Sequence, residues 1–309
     1  MTLSALSPET QALTRRVTAL SVAVAAVLIV VKTLAWLASG SVALLASLSD
    51  SGLDLIASLI TFFAVRYAAE PPDAEHRFGH GKAEAFSSLT QAGLVFASGA
   101  LIGQEAIRAM LHPRPVEQGL VAMAVMVISI VLTVGLIVAQ SRVLKSTGSI
   151  AVSGDRAHYA ADLASNAVAL VGIGAASWLG LGWIDAVAGL LVALWLIWGA
   201  IGVFGEASHQ LMDRELPDED RKRIVALATE DPRLLGVHQL RTRASGPYVH
   251  MQMHADLEAG ISLAEAHTIM VAAENRLLEA FPAADIIIHP DPRGKAESHG
   301  GLFAESDHG

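Results

Sequence analysis

The sequence has no cysteine among its 309 residues. Disulfides and thiolate metal sites are therefore both excluded, and any transition-metal site must be built from imidazole and carboxylate. Charge is also scarce: 17% of residues are charged, against ~25% in an ordinary soluble domain. Basic residues are the scarcer sign, with 21 Lys and Arg against 30 Asp and Glu. That balance argues against a nucleic-acid partner, which would favour a basic face. No cleavable signal peptide is evident, because residues 1–11 are polar and the first apolar run is long enough to span a membrane. No HExxH helix is present, and no acid is spared as a general base beside a three-ligand open site. An intramembrane metalloprotease is thereby disfavoured, and no enzyme is expected.

Apolar residues are abundant. Hydrophobic side chains make up 53% of the chain, and the mean hydropathy is +0.49. Up to about Gly205 the sequence runs in long apolar stretches, and from about Asp213 it reads as an ordinary soluble protein. A helix needs ~20 mostly apolar residues to cross a bilayer. Windows at residues 17–37, 44–65, 86–107, 120–140, 163–179 and 184–204 meet or approach that length. The fifth is short unless its helix starts near Ile150 and projects its first turns beyond the membrane. The expected architecture is an all-α six-helix transmembrane bundle over residues 14–212, after a cytoplasmic segment at 1–13. A small α+β domain at 213–292 and a disordered tail at 293–309 follow. Arg15, Arg16, Arg66, Arg77, Lys82, Arg142, Lys145 and Arg156 flank one side of these spans, against Arg114 on the other. That bias puts both termini in the cytoplasm. Lys32 falls inside the first window and reads as a side chain snorkelling to the far interface.

Other polar residues do not suit the apolar runs. Asp50 and Asp54 interrupt SLSDSGLDLIASLI, and His158 and Asp162 interrupt DRAHYAADLASNAVAL. Each pair is spaced i, i+4, which sets both side chains on one helix face. An Asp at mid-span costs about 2.5–3.5 kcal/mol to insert, so three cost about 8–10 kcal/mol if nothing offsets them. Such charges are normally paired or bound to a cation. Two helices presenting one pair each can close four ligands around an ion. Four N/O ligands suit Zn2+, with Fe2+, Co2+ and Cd2+ able to use the same cage. Taken singly, Asp50 also fits a helix cap and His158 an interfacial position. Ser58 and Asn166 continue the two faces as packing residues or indirect supports.

The C-terminal region reads as helix, hairpin, helix and strand, in the order αββαβ. Pro217 and the acids after it open one helix, and Ser262-x-x-Glu265 opens the other as a capping box. Strand alternation flanks Ser-Gly-Pro, marking the hairpin. His238, His254 and His289 lie on candidate strands, with Asp291 two residues past His289 and His267 on the second helix. Residues two apart share a strand face, so His289 and Asp291 can converge on one ion.

Asp-x3-Asp, His-x3-Asp and the HRFGHGKAE segment together resemble the cation diffusion facilitators, and most nearly their bacterial ferrous-iron/zinc efflux branch. The likeness runs from about Arg15 to Asp291. It implies a homodimeric secondary transporter of the bacterial cell inner membrane that exports Zn2+, Fe2+ or Cd2+ and exchanges protons. It also implies a ferredoxin-like fold for the C-terminal domain. On the matching positions, Asp50, Asp54, His158 and Asp162 hold the transported ion, and Asp73, His76 and His80 form a loop site. His238, His254, His289 and Asp291, with His267, form a binuclear cytoplasmic site that regulates transport. Lys82 and Asp213 match a salt bridge near the dimer centre. Pro290 departs from the pattern, standing where relatives can offer a ligand. From the residues alone, the loop histidines fit a solvated connection equally well, and a non-transporting membrane sensor would carry the same ligand set.

Overall fold

A computed structural model of the chain describes residues 8–39, 42–111, 120–179 and 182–295. The expected connections at residues 40–41, 112–119 and 180–181, and the expected tail from residue 296 on, lie outside the described residues. The chain divides into two compact units, one spanning Thr10–His209 and one containing the residues from Gln210 onward.

The first unit is built from long helices: α1 Pro8–Ser39, α2 Val42–Ala68, α3 Ala83–Leu111, α4 Leu120–Thr147, α5 Ile150–Leu179 and α6 Gly182–Leu211. Among the described residues, five stretches are long and apolar enough to cross a membrane: Glu9–Ala38, Ser47–Ala68, Ala83–Leu111, Met123–Thr147 and Ala186–Leu211. Helix α5 is 30 residues long but carries Asp155, Arg156, His158 and Asp162 in its first half. It begins at Ile150, as its apolar window requires.

Burial in this unit runs opposite to that of a soluble bundle. Leu34, Leu37, Leu191, Trp198 and Ile201 stand on the outside, whereas Ser21, Ser58, Thr61, Ser87, Gln91 and Gln140 are buried. A hydrocarbon solvent favours this inversion, because buried polar groups then find partners on neighbouring helices. Gln91 of α3 donates to the Ala57 carbonyl and to Thr61 Oγ1 of α2, each at 3.0 Å. At the opening of α5, Glu84 Oε2 accepts from Ser149 Oγ at 2.6 Å and from the Ala151 amide at 3.5 Å. A carboxylate from α3 thus satisfies the free amides of the α5 N-terminus.

In the second unit, α7 Asp218–Ala228 and α8 Leu263–Ala280 accompany β1 Leu234–Ser245, β2 Tyr248–Leu257 and β3 Ala284–Pro292. The αββαβ order of the sequence reading is the observed one. Strand β1 pairs antiparallel with β2, and β2 pairs parallel with β3, so the long return from β2 to β3 is made by α8. Gly246, at φ +54°, makes the turn of the hairpin. Ser262 Oγ accepts from the Glu265 amide at 3.2 Å and starts α8. Arg276 of α8 donates to the Leu227 and Ala228 carbonyls, both at 3.0 Å, and closes the free end of α7. Ile224, Met251, Met253, Ile269, Leu277 and Phe281 fill the core between helices and sheet.

One glycine sets how closely α3 and α5 pack. A Cβ on Gly154 would lie 2.9 Å from both the Cα and Oγ of Ser88, and 3.2 Å from Gln91 Cβ. Overpacking of this kind costs about 1–3 kcal/mol. Gly154→Ala should therefore lower the thermal midpoint of the detergent-solubilised protein. Gly135→Ala, whose Cβ meets nothing within 4 Å, should leave it unchanged or slightly raised. Equal midpoints for the two variants would refute the close-approach account.

Candidate metal centre

Helices α2 and α5 bring their acidic and imidazole groups together inside the first unit. His158 Nε2 lies 3.2 Å from Asp54 Oδ1 and 3.7 Å from Asp162 Oδ2. One ligand atom from each of these three residues falls within 4.8 Å of the other two. His158 is buried, and Asp54 and Asp162 are half-buried. His158 Nδ1 and Asp162 Oδ2 are buried without a hydrogen-bond partner. A carboxylate–imidazole–carboxylate set of this size has the donor chemistry of a divalent transition-metal site.

The fourth expected ligand is not in this group. Asp50 is exposed and stands one turn before Asp54, ~6 Å along the helix axis. The structure thus gathers three of the four residues and leaves Asp50 at the margin. Ser58 and Asn166 are not ligands here either. Tyr159 donates its hydroxyl to the Ser21 carbonyl at 3.2 Å. Ser58 Oγ, 2.7 Å from that hydroxyl, must then be the donor to Tyr159. Asn166 donates to the backbone carbonyl of Asp162 at 2.9 Å.

Two buried charges lie in the same bundle, one read differently from the sequence and one missed there. Lys32 points inward rather than snorkelling. It is 6% exposed, and its Nζ donates to Ser51 Oγ at 2.6 Å and to the Ser47 carbonyl at 3.1 Å. A basic side chain is thus buried within the same bundle as the carboxylates. The second charge is Asp155, 1% exposed. Its Oδ2 accepts from Ser21 Oγ at 2.7 Å and from Gln140 Nε2 at 2.8 Å, joining α1, α4 and α5. Its position three residues before His158, on the same helix face, is the signal that would have found it.

The connection between α2 and α3 gathers Asp73, His76 and His80. Asp73 Oδ1 accepts from the His76 and Glu75 amides at 2.6 and 2.9 Å, and Oδ2 lies 3.3 Å from His80 Nε2. His76 Nδ1 is 3.4 Å from Oδ1. The His76 amide, with the Glu75 amide and the two imidazoles, holds the Asp73 carboxyl below the usual range. His80 is buried and packs on the Tyr67 ring, with centroids 4.4 Å apart; Asp73 and His76 are exposed.

Strand pairing makes the third group. His238 is paired with His254 and His254 with His289, so one row across the sheet carries three imidazoles. Asp291 stands one side-chain position further along the same face. Its Oδ2 lies 2.8 Å from His254 Nδ1 and 3.2 Å from His238 Nε2, and its Oδ1 lies 3.3 Å from His289 Nε2. Burial pushes the Asp291 carboxyl up, but the His254 hydrogen bond and the surrounding imidazoles outweigh it and hold the group below its ordinary value. It is thus ionised at neutral pH. Pro290 lies between His289 and Asp291, so strand alternation turns it to the opposite face. His267 is exposed on α8 and is not part of this group. Asp256, missed in the sequence, has Oδ2 at 3.7 Å from His238 Nδ1; its spacing two residues past His254 was the available clue. Asp213 accepts from Arg243 Nη1 at 3.0 Å, and Lys82 immediately precedes α3.

Known proteins share this organisation. The model of the cation efflux transmembrane domain matches residues 18–212, and that of the cation efflux protein cytoplasmic domain matches residues 216–293. The cation-efflux pump FieF of Shewanella oneidensis is 43% identical over 272 residues, 88% of this chain and 92% of its own. The FieF pump of Cronobacter sakazakii is 39% identical over 269 residues, 87% of this chain and 89% of its own. A solved structure of a proposed zinc transporter, CzrB, in its zinc form is 34% identical, covering 28% of this chain and 98% of that one, with a TM-score of 0.26. With both of its units matched, and with relatives alike over almost their whole length, the chain belongs to the cation efflux family.

Proposed function

We propose that this protein exports divalent transition-metal cations across the bacterial inner membrane by exchange with protons. The observation that carries the reading is the meeting of Asp54, His158 and Asp162 on helices whose outer faces are apolar. A metal ligand must be deprotonated to bind, so metal and protons compete for the same atoms. Imidazole titrates near neutral pH, which lets that competition run under cellular conditions. Asp50 completes a four-ligand set in the ion-bound state, one turn from Asp54. The donor set suits Zn2+, and Fe2+, Co2+ and Cd2+ fit the same chemistry.

The supporting architecture is part of the same proposal. Six spans cover residues 14–212, with α5 as the sixth, and both termini lie in the cytoplasm. The domain at 213–292 takes a ferredoxin-like fold and mediates a homodimer; the family model it matches is itself named for a dimer. Asp73, His76 and His80 form a second metal site beside the membrane.

Loss of a direct ligand should exceed the ~10–100-fold cost typical of outer-shell partners. Asp54→Ala and Asp162→Ala should therefore each reduce zinc flux in proteoliposomes to background. Undiminished flux in either variant would remove the site from the transport path. In everted vesicles, zinc uptake should accelerate with an acidic lumen and collapse when a protonophore is added. Uptake indifferent to the gradient would exclude proton exchange.

The cytoplasmic cluster would hold a resident ion through His238, His254, His289 and Asp291, whose donors fit zinc. Held by residues of all three strands, such an ion would add stability to the domain. His254→Ala combined with His289→Ala should leave a protein that still transports with simple saturation but has lost the additional activation of its rate by metal in the cytoplasmic range. An unchanged metal dependence would strike out the regulatory role.

A further inference from the structure

Lys32 has no role in a ligand set, yet its position is the most unusual in the bundle. A lysine inside an apolar bundle is normally either drawn to an interface or matched by carboxylates. Here the ammonium is anchored on α2 by Ser51 Oγ at 2.6 Å and by the Ser47 carbonyl at 3.1 Å. Ser51 is itself fully buried. Ser47, Ser51, Asp54 and Ser58 follow one another at helical spacing, so the anchor points and the Asp54 ligand share a single stripe of α2. From Ser51 to Asp54 the rise is only ~4.5 Å. Asp54, Asp162 and Asp50 are carboxylates whose charges act on Lys32.

We propose that Lys32 is the built-in counter-cation of the transport site: tethered to Ser51 and Ser47, it cancels one of the three carboxylate charges and holds the α2 turn that carries Asp50 and Asp54. The inference rests on the transport reading above and adds a specificity element to it. Three carboxylates alone would leave a divalent ion over-compensated by one negative charge in a low-dielectric interior. With Lys32 present the remaining two negative charges are matched by one divalent cation. Lys32 also repels that cation, so the site binds more weakly than its ligands would by themselves, and release is faster. Lys32 donates its hydrogen bonds to the Ser47 carbonyl and Ser51 Oγ. It is a positioning and charge-setting residue.

The test separates charge from packing. Zinc flux is measured in proteoliposomes against zinc concentration for wild type, Lys32→Met, Lys32→Gln and Lys32→Arg, with Asp54→Ala alongside. Removing a like charge at this range strengthens cation binding by about tenfold or more. Lys32→Met and Lys32→Gln should thus lower the KM by about that factor and lower the maximal rate as release slows, whereas Lys32→Arg restores the wild-type KM. A merely structural lysine predicts a reduced rate at unchanged KM in the neutral variants, and that result overturns the proposal. So does a wild-type KM and rate in Lys32→Met. Should Lys32→Met fail to fold, Lys32→Gln keeps a donor for Ser51 and gives the same readout without the charge. Full flux in Asp54→Ala would instead sink the transport reading, and flux abolished there with Lys32 variants unaltered would sink only the lysine.

Discussion

The 3.2 Å approach of His158 to Asp54 is the constraint to which the rest of the helical unit conforms. Each group is costly to bury alone in an apolar setting and tolerable when the other is beside it. Their meeting fixes the rotation of both helices. With Asp54 inward, the 3.6-residue period sends Leu53, Ile56, Ile60 and Phe63 outward, and these are exposed, as the lipid-facing stripe of a span should be. The same rotation turns Ser51, Ser58 and Thr61 into the bundle, where all three are buried.

Helix α5 is the hub of this arrangement. Asp155, His158, Tyr159 and Asp162 form one polar stripe at helical spacing, and its rungs are satisfied by different neighbours. Asp155 draws Ser21 from α1 and Gln140 from α4. Tyr159 draws Ser21 again and Ser58 from α2. His158 draws Asp54. On the other side Gly154 lets α3 approach to backbone contact. A helix so polar along one face falls short of a span by hydropathy, and its polar rungs are met instead by neighbouring helices.

The same logic explains what could be read from the sequence. The two i, i+4 pairs were visible because their spacing is local, and the strand histidines were visible because alternation is local. The direction of Lys32 was not: whether a mid-span lysine turns inward depends on the rotation of α1 against α2, which Ser47 and Ser51 decide across a gap in sequence. Asp155 lay hidden beside Arg156 in what looked like a solvated helix start, and its partners are 15 and 134 residues away. Asp50 and His267 illustrate the converse. Each has the right type and a plausible period, but in this structure Asp50 stands exposed one turn from Asp54 and His267 lies on the outward face of α8, whose core side carries Ala266, Ile269, Ala273 and Leu277. The row formed by His238, His254 and His289 needed the register of three strands, including a parallel pair that no local pattern reveals.

Two kinds of scaffold follow from these placements, and they differ in what holds the ligands at their spacing. In the membrane unit, Asp54 and His158 belong to helices joined only through side chains, so a small slide or rotation of α5 against α2 is enough to part them. In the cytoplasmic domain, His238, His254 and His289 occupy adjacent strands at the ~4.8 Å interval of the backbone ladder. The ladder holds the backbones of these three residues at that interval. A site that must take up and give up its ion is better built on the first scaffold, and one that must keep its shape while the ion comes and goes is better built on the second. The carboxylates reflect the same division. Asp291 is held ionised by its imidazole neighbours within a sheet, whereas Asp54 and Asp162 depend on a partner that helix packing brings to them, His158.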